Sequence, residues 1–414
     1  MNRGGLERLV DRLREDLIAV RPGAAGAPHD AVARVVLGAV AEPGDGVLGR
    51  MVESLGAAES AGWILSGRGA TELVDALRQE SAPSSRELTA GAARWRPRID
   101  DAALARSLAQ AARVGARLVL PGDPDWPVGF ADLGPHAPLA LWVRGRSSAV
   151  VASPSIALVG ARAATGYGEH VAVEAAAGLV DRGVAIVSGG AYGIDGTAHR
   201  AALAAGGTTV AFLAGGVDRF YPAGHEALLG RIAATGAVAS ELPCGAAPTR
   251  WRFLQRNRLI AASAGATVVL EAGVRSGSLN TAGHAATLGR PLGAVPGPVT
   301  SPASAGCHRL LREFDALCVT DAAQMAELVR GHRPGPAGDD APGSTHSSQR
   351  ALEALTSHER RVLDALSVRR SRSVDELIRA TGMASGPVLG ALGALDATGL
   401  VARAADGWVR RRPE

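Results

Sequence analysis

Six short apolar segments alternate with helical or loop segments between residues 155 and 297, and this alternation constrains the fold more than any other feature. The segments read "SIALVG", "VAIVSGG", "TTVAFLAGG", "AVASE", "ATVVLEAG" and "PLGAVPG". Short, uniformly apolar runs indicate strands buried on both faces, and their spacing suits parallel strands joined by crossover helices. We therefore predict a doubly wound, mostly parallel α/β sheet with a ligand site at the carboxyl ends of its strands.

The segments before this sheet predict a helical layer and two added strands. Between residues 32 and 77, apolar residues recur at a spacing of three to four between glycine-rich turns, which indicates several short helices. Two apolar runs, 118–120 and 139–143, flank a proline-rich connection and are candidates for extra strands of the sheet. The domain assignment is an N-terminal extension (1–29), a small helical domain of the SAM or helix-hairpin-helix type (30–95), and the sheet domain (96–330).

The C-terminal part predicts a separate small domain after a flexible linker. Residues 331–350 are rich in glycine, proline and serine, a composition typical of flexible linkers. In residues 351–414, three helical patterns precede a strand, an Asp-Gly turn and a second strand, which is the order of a winged helix. Its reading helix, in "SGPVLGALGALDATG", has no Arg, Lys, Asn or Gln, so we expect an interaction or regulatory module rather than sequence-specific DNA binding. Nearby basic residues permit weak, unspecific contacts: Arg369, Arg370, Arg372 and 410–412.

The amino-acid composition says little about the binding partner or the cellular compartment of the protein. The net charge is +4 and the basic residues are arginines, so local clustering rather than total charge has to identify a nucleic-acid site. Cys244, Cys307 and Cys318 lie far apart and form neither a metal-binding pair nor a disulfide framework. Because the chain starts with a charged segment and has no apolar run of about 18 residues, we expect a cytoplasmic protein without membrane attachment.

The loop after the first strand argues against a dinucleotide cofactor. Dinucleotide-binding folds need Gly-x-Gly-x-x-Gly there, and an acidic residue at the end of the second strand. Here "LVGARAATGYG" has Gly160 followed by Arg162 in place of the second glycine, and the second strand ends in Ser188, Gly189 and Gly190. We predict no NAD or FAD, and no other cofactor or metal. A guanidinium beside free backbone N–H groups favours a phosphate or a nucleic-acid backbone at a helix N-terminus.

Two further strand ends carry polar residues, each with a structural alternative. Asp195 and His199 stand four residues apart, a spacing open to metal binding or acid–base chemistry, but also to a cap and a packing histidine. No further His or Cys at ligand spacing completes a metal site. The other strand end offers hydroxyls and amides suited to phosphate oxygens, although its last serine could simply cap a helix. Its residues are Arg275, Ser276, Gly277 and Ser278.

An arginine-rich stretch without acidic residues, "RWRFLQRNRLI", points most directly to a partner. Guanidinium groups beside the rings of Trp251 and Phe253 suit single-stranded nucleic acid, since phosphates need cations and unstacked bases need a π surface. The alternatives are a solvated surface with rings in the core, or arginines paired with Glu241 or Glu271. We expect no regular reading helix in this stretch, which makes duplex DNA the weaker fit. The polar residues of the stretch are Arg250, Arg252, Arg256, Asn257 and Arg258.

Six strings, in this order, resemble the DNA-processing protein A (DprA/Smf) family. They are "LVGAR", "IVSGGAYGIDGTAH", "LAGGVDRFYP", "SELPCGAAPTRWRFLQRNRLIAASA", "VVLEAGVRSGSLNTAGHA" and "PLGAVPGPVTSPASAGCHRLL". The resemblance implies an extended Rossmann-like domain that binds single-stranded DNA, forms homodimers and helps load the RecA recombinase in natural transformation. Leu254 stands where the family usually has proline, which puts the shape of that loop in question. The resemblance also implies DNA-contacting positions: Arg162, 188–190, Arg250, 256–258 and 276–278.

The function predicted from the sequence is a recombination mediator that binds single strands and is not an enzyme. One alternative is a Rossmann-like nucleoside-monophosphate hydrolase that uses Glu241, Glu271 or Asp195 as acid or base. The Pro-Gly-Gly-x-Gly-Thr phosphate loop that such enzymes carry does not occur in this sequence. The other alternative is a regulatory protein that acts through the winged helix. The sequence leaves the pathway open between transformation, repair and defence.

Overall fold

The chain divides into two compact units, residues 1–334 and 335–414, and each is described by itself. The predicted linker 331–350 lies outside the residues that the structure describes, as do Arg369, Asp406 of the predicted turn, and Arg412. No helix in the described residues is long and apolar enough to cross a membrane. The computed structural model describes residues 4–22, 28–74, 82–330, 356–367, 370–381, 383–397, 400–404 and 407–411.

Within the described residues, seven α-helices precede the sheet and pack into one layer. Three of them begin where polar side chains cap the helix. Asp45 accepts the N–H groups of Val47 and Leu48, Ser84 forms a capping box with Glu87, and Asp100 accepts the N–H of Ala103. The helices are α1 (Gly4–Val20), α2 (Pro28–Val40), α3 (Gly46–Leu55), α4 (Ala57–Ser66), α5 (Ala70–Val74), α6 (Ser85–Trp95) and α7 (Asp101–Arg113).

Helix α1 belongs to this layer, whereas the sequence places it in an N-terminal extension. Its residues Leu6, Leu9, Leu13 and Leu17 are buried, and α1 packs on α2, α4 and α7. Because charged residues fill the positions between these leucines, the average composition of the segment conceals the apolar stripe. The helical layer therefore begins at residue 4 rather than at residue 30.

Nine described strands form one sheet that is mostly parallel. The strands are β1 (Ala116–Val119), β2 (Leu141–Gly145), β3 (Ser155–Gly160), β4 (Ala185–Ser188), β5 (Thr209–Phe212), β6 (Ala237–Ser240), β7 (Ala266–Glu271), β8 (Leu292–Ala294) and β9 (Leu317–Cys318). Their order is β1-β2-β6-β5-β4-β3-β7-β8-β9. β2 pairs antiparallel with β1 and β6, and the other neighbours pair parallel. The predicted α/β class and the two added strands are confirmed.

Helices cover both faces of the sheet. One face packs against α8 (Gly166–Val180), α9 (Ile194–Ala204) and α14 (Ala322–Arg330), and the other against α11 (Arg250–Ser263), α12 (Ser278–Thr287) and α13 (Ala305–Glu313). Helix α10 (Glu226–Thr235) packs beside α9. Short 3₁₀ helices complete the unit: Arg96–Arg98, Val128–His136, Ser147–Val151, Ala223–His225 and Pro302–Ser304.

The helical layer and the sheet share one continuous core. Leu118 of β1, Trp142 of β2 and Val238 of β6 lie in the same buried cluster as Leu37 and Trp63 of the helical layer. The boundary predicted between residues 95 and 96 is therefore not a break in packing. The antiparallel strands β1 and β2 present apolar side chains that the helical layer covers.

The strand order reverses beside β3, and this reversal positions the functional site. The chain lays down β4, β5 and β6 outward from β3, and then returns to place β7 on the other side of β3. Loops that leave the strands on either side of such a reversal diverge and open a crevice at the carboxyl ends. Gly160 at the end of β3 lies in register with Glu271 at the end of β7. The loops after these two residues therefore border the crevice.

The described part of the second unit has the predicted winged-helix order. It comprises α15 (Ser357–Ala365), α16 (Val374–Thr381), α17 (Ser385–Ala397), β10 (Val401–Ala404) and β11 (Gly407–Arg410). β10 and β11 pair antiparallel, and Arg372 adds a bridge to Trp408. Val362, Leu377 and Leu392 lie in a core that is separate from that of the first unit.

Candidate nucleic-acid interface

A cleft of about 960 Å³ opens at the carboxyl ends of β3 and β7, where the strand order reverses. Its walls are the loop after β3, the first two turns of α11, and the loop that leads into α12. Among the described residues that line the cleft, Asp195 is the one carboxylate. Its charged and aromatic lining residues are Arg162, Arg250, Arg256, Arg275, Asp195, Tyr221 and Phe253.

Three of the predicted arginines present their guanidinium groups to solvent at this cleft. Arg162, Arg250 and Arg275 come from three different segments, and all three are exposed. Among the residues that the structure describes, none of the three guanidinium groups has a carboxylate partner or a hydrogen bond. Guanidinium groups that line one cleft without carboxylate partners suit an anion with repeated charges, such as a phosphate backbone.

Two aromatic rings lie within the cleft next to these cations. The Phe253 ring centroid is 5.0 Å from the guanidinium carbon of Arg162 and 5.8 Å from that of Arg256, which is cation–π distance. The Tyr221 ring lies 5.7 Å from the Phe253 ring and is half exposed. Trp251 is 56% exposed and does not line the cleft, so the two rings of the arginine-rich stretch separate. Tyr221 is not among the predicted site residues, and its aromatic ring in the segment after β5 is the signal that could have identified it.

Arg256 is a floor residue of the cleft rather than a free cation. It is 5% exposed, and its guanidinium donates to the carbonyl oxygens of Gly189, at 2.6 Å, and Phe212. Burial lowers the pKa of Arg256 to about 10, although the nearby Asp195 carboxylate acts in the opposite direction. Arg256 therefore ties the ends of β4 and β5 to α11, which the prediction of a surface phosphate contact did not foresee.

Arg258 is paired with Glu241, as one of the open alternatives supposed, and Arg252 is paired with a carboxylate, Glu42, that no alternative named. Arg258 is 2% exposed and binds Glu241 with two hydrogen bonds of 2.6 Å each. Arg252 binds Glu42 of the α2–α3 turn at 2.9 and 3.0 Å. Asn257 donates to Asn280 at 3.1 Å. These three side chains hold α11 in place within the protein. Asn257 also lines the cleft, and the predicted contacts of all three with DNA stay predictions.

The arginine-rich stretch forms a regular helix, contrary to the prediction. Thr249 caps α11 by accepting the N–H of Arg252 at 3.3 Å. The helix is buried from Arg256 to Ala262, so only its first turns reach solvent. Because only its first turns are exposed, α11 offers no full recognition face to a major groove, and the weaker fit of duplex DNA stays a prediction.

The predicted turn 188–190 builds the floor of the cleft and does not line it. Ser188 is fully buried, and its hydroxyl donates to the carbonyl oxygen of Leu158 at 2.6 Å. A side chain at Gly189 would overlap the guanidinium of Arg256. The carbonyl of Gly190, at φ +69°, is bound to His225 at 3.0 Å. The assignment of these three residues to phosphate binding is therefore corrected to a packing role.

The loop before α12 keeps its candidate role. The hydroxyls of Ser276 and Ser278 lie 2.7 Å apart, and Gly277 occupies the cap position without a side-chain bond. Ser278 is therefore not the cap that the alternative proposed. Ser276, Gly277 and Ser278 line the cleft together with Arg275.

The three carboxylates of the enzyme alternative, and His199 beside them in the sequence analysis, are all engaged in internal contacts. His199 is fully buried, its Nδ1 lies 2.7 Å from the Thr209 hydroxyl, and burial lowers its pKa to about 3. Asp195 accepts the N–H groups of residues 189 and 191, and burial raises its pKa. Glu241 binds Arg258, and Glu271 binds the loop after β3. In the described part of the chain, no three His, Cys, Asp or Glu side chains are grouped to hold a metal ion.

The chain is similar to one family of known proteins over most of its length. Residues 117–330 match the family described as DNA recombination-mediator protein A, and residues 346–407 match the DprA winged helix domain. A putative DNA processing protein DprA from Mycobacterium tuberculosis is 46% identical over 376 residues, which cover 88% of this chain and 90% of that protein. Protein Smf from Escherichia coli is 39% identical over 194 residues, 47% of this chain and 51% of that protein. The X-ray structure of DprA from Streptococcus pneumoniae superposes with a TM-score of 0.57 at 27% identity, covering 72% of this chain and 97% of that one.

Proposed function

The chain belongs to the DNA-processing protein A (DprA/Smf) family, and from that premise we propose that it binds single-stranded DNA in the cleft between β3 and β7. Membership of the family supports a role in DNA processing and recombination. The observation that carries the proposal is the convergence of Arg162, Arg250 and Arg275 on one cleft without carboxylate partners among the described residues.

Single strands suit this cleft better than duplexes. The three arginines supply cations for consecutive phosphates, and the hydroxyls of Ser276 and Ser278 add donors beside Arg275. The rings of Tyr221 and Phe253 offer π surface inside the cleft, where each stacked base contributes about 1 to 3 kcal/mol. Bases in a duplex are already stacked on one another, so only an unpaired strand can use these rings.

The family premise also supports two finer proposals, homodimer formation and delivery of RecA to the bound strand. β9 is one of the two outer strands of the sheet, and its Leu317 is 58% exposed, as is Phe314, three residues earlier, at 36%. An exposed apolar edge strand favours association with a second copy. A single-chain mass in sedimentation at micromolar concentration would contradict the dimer. Unchanged RecA assembly on oligonucleotides in the presence of the protein would contradict RecA loading.

We expect residues 1–334 alone to bind a single-stranded oligonucleotide within a few-fold of the affinity of the full chain, and to prefer it to duplex. The three exposed arginines of the cleft lie in this unit, while the reading helix α17 contains exposed Leu389 and three glycines but no basic side chain. Competition titrations with labelled single-stranded and duplex oligonucleotides of equal length measure both quantities. Loss of nearly all binding in the shortened chain would instead locate the DNA site in residues 335–414.

A further inference from the structure

The loop that carries Arg162, residues 161–165, is held at both ends by one residue, Glu271. At the start of the loop, the N–H of Ala161 donates to the backbone carbonyl of Glu271 at 2.7 Å. At its end, the N–H and the hydroxyl of Thr165 donate to the two carboxylate oxygens of Glu271, at 2.9 and 2.5 Å. Glu271 thus closes the loop with three hydrogen bonds.

The residues around Glu271 leave little room for a second conformation of the 161–165 loop. Glu271 is 2% exposed, and a side chain at Gly168 in the first turn of α8 would overlap its carboxylate. On the other side of the loop, the N–H of Ile194 donates to the carbonyl of Ala161 at 3.1 Å. Gly193 has φ +73°, and a side chain there would overlap the carbonyls of residues 161 and 162. The loop is therefore packed on one side and clamped by a buried carboxylate on the other.

We propose that Glu271 and Thr165 are positioning residues for DNA binding, because together they hold the Arg162 loop over the cleft. This inference rests on the proposed function. Thr165 also caps α8 through its hydroxyl, which accepts the N–H of Gly168 at 3.2 Å, so one side chain links the helix, the loop and the carboxylate. A loop that is ordered before the ligand arrives loses less conformational freedom on binding, which strengthens each contact that Arg162 makes.

The test is a double-mutant cycle between positions 165 and 162 in the full chain. Thr165→Val keeps the shape of the side chain but removes the hydroxyl that bonds Glu271, whereas Thr165→Ser keeps that hydroxyl. We expect Thr165→Val to weaken binding of a single-stranded oligonucleotide about three- to tenfold, and Arg162→Ala to weaken it roughly tenfold or more. Thr165→Ser, which keeps the hydroxyl, should bind close to the parent level.

The discriminating readout is the effect of Thr165→Val in the Arg162→Ala background. If Thr165 acts through Arg162, Thr165→Val weakens binding in the parent but changes it little once Arg162 is absent. Equal loss in both backgrounds would show general damage to the fold and overturn the inference. Parent affinity for Thr165→Val, with a clear loss for Arg162→Ala, would overturn the inference and leave the proposed function standing. Parent affinity for Arg162→Ala itself would also overturn the inference, and the proposed function would then be decided by Arg250→Ala, Arg275→Ala and the triple variant. Melting curves of each variant check that all proteins compared are folded.

Discussion

Replacing Arg162 with glutamate is expected to weaken single-stranded DNA binding by roughly a hundredfold or more. A hydrogen bond to a charged group contributes about 1.5 to 3 kcal/mol, and a carboxylate placed among phosphates adds repulsion to that loss. Because Arg162 is exposed and has no carboxylate partner among the described residues, the exchange removes no internal ion pair there. The melting temperature should therefore stay near that of the parent. Fluorescence anisotropy with a labelled oligonucleotide at fixed salt measures the loss.

The matched control for this prediction is Arg8→Glu on helix α1. Arg8 is also exposed, and the exchange changes the net charge by the same amount, but Arg8 does not line the cleft. We expect binding by this variant to fall only slightly, through the change in total charge. Similar losses for Arg8→Glu and Arg162→Glu would mean that the overall charge of the protein, rather than the cleft, determines affinity.

Arg258→Ala is expected to destabilise the first unit by about 3 to 5 kcal/mol, because it leaves the Glu241 carboxylate partly buried without its partner. The guanidinium also donates to the backbone carbonyls of His136, at 2.8 Å, and Gln255, at 2.9 Å, and both bonds are lost with it. Urea unfolding followed by circular dichroism should show a lower midpoint for this variant. Arg250→Ala, at the exposed start of the same helix, should unfold within about 0.5 kcal/mol of the parent.

A paired replacement separates the ion pair from other effects at the Arg258 site. Removing both charges, as in Glu241→Gln with Arg258→Met, should recover much of the lost stability, since a buried ion pair can often be replaced by uncharged groups. One result would show that Arg258 contacts DNA, as the sequence predicts. If Arg258→Ala unfolds like the parent but binds DNA poorly, Arg258 contacts DNA and is not the structural residue described above.

The sheet and the winged helix could be predicted because local patterns determine them. Uniformly apolar runs such as "SIALVG" specify strands covered on both faces, and three helical patterns followed by two strands specify the second unit. The extent of the helical layer could not be predicted in the same way. The leucines of α1 are separated by charged residues, and their partners lie in helices that the segment itself does not reveal.

The candidate site was only partly predictable, because the role of an arginine depends on its partners. Arg250 and Arg258 stand in the same charged stretch, yet one is exposed and the other is bound to Glu241 in a buried pair. Arg252 is neutralised by Glu42, about 210 positions away in the sequence. No local pattern contains this information. The only local indication that the second half of α11 is buried is the run of apolar residues after Arg258.

The measurement that tests the central claim most directly is the salt dependence of single-strand binding for the parent and for Arg162→Ala, Arg250→Ala and Arg275→Ala. Each phosphate neutralised on a single strand contributes about 0.7 to the slope of log affinity against log salt concentration. If the three arginines share one phosphate path in the cleft, each variant should bind more weakly and lower the slope by about 0.7, and the triple variant should lower it by roughly 2. Parent affinities and parent slopes for all three single variants and for the triple variant, with unchanged melting curves, would contradict the assignment of this cleft as the DNA site.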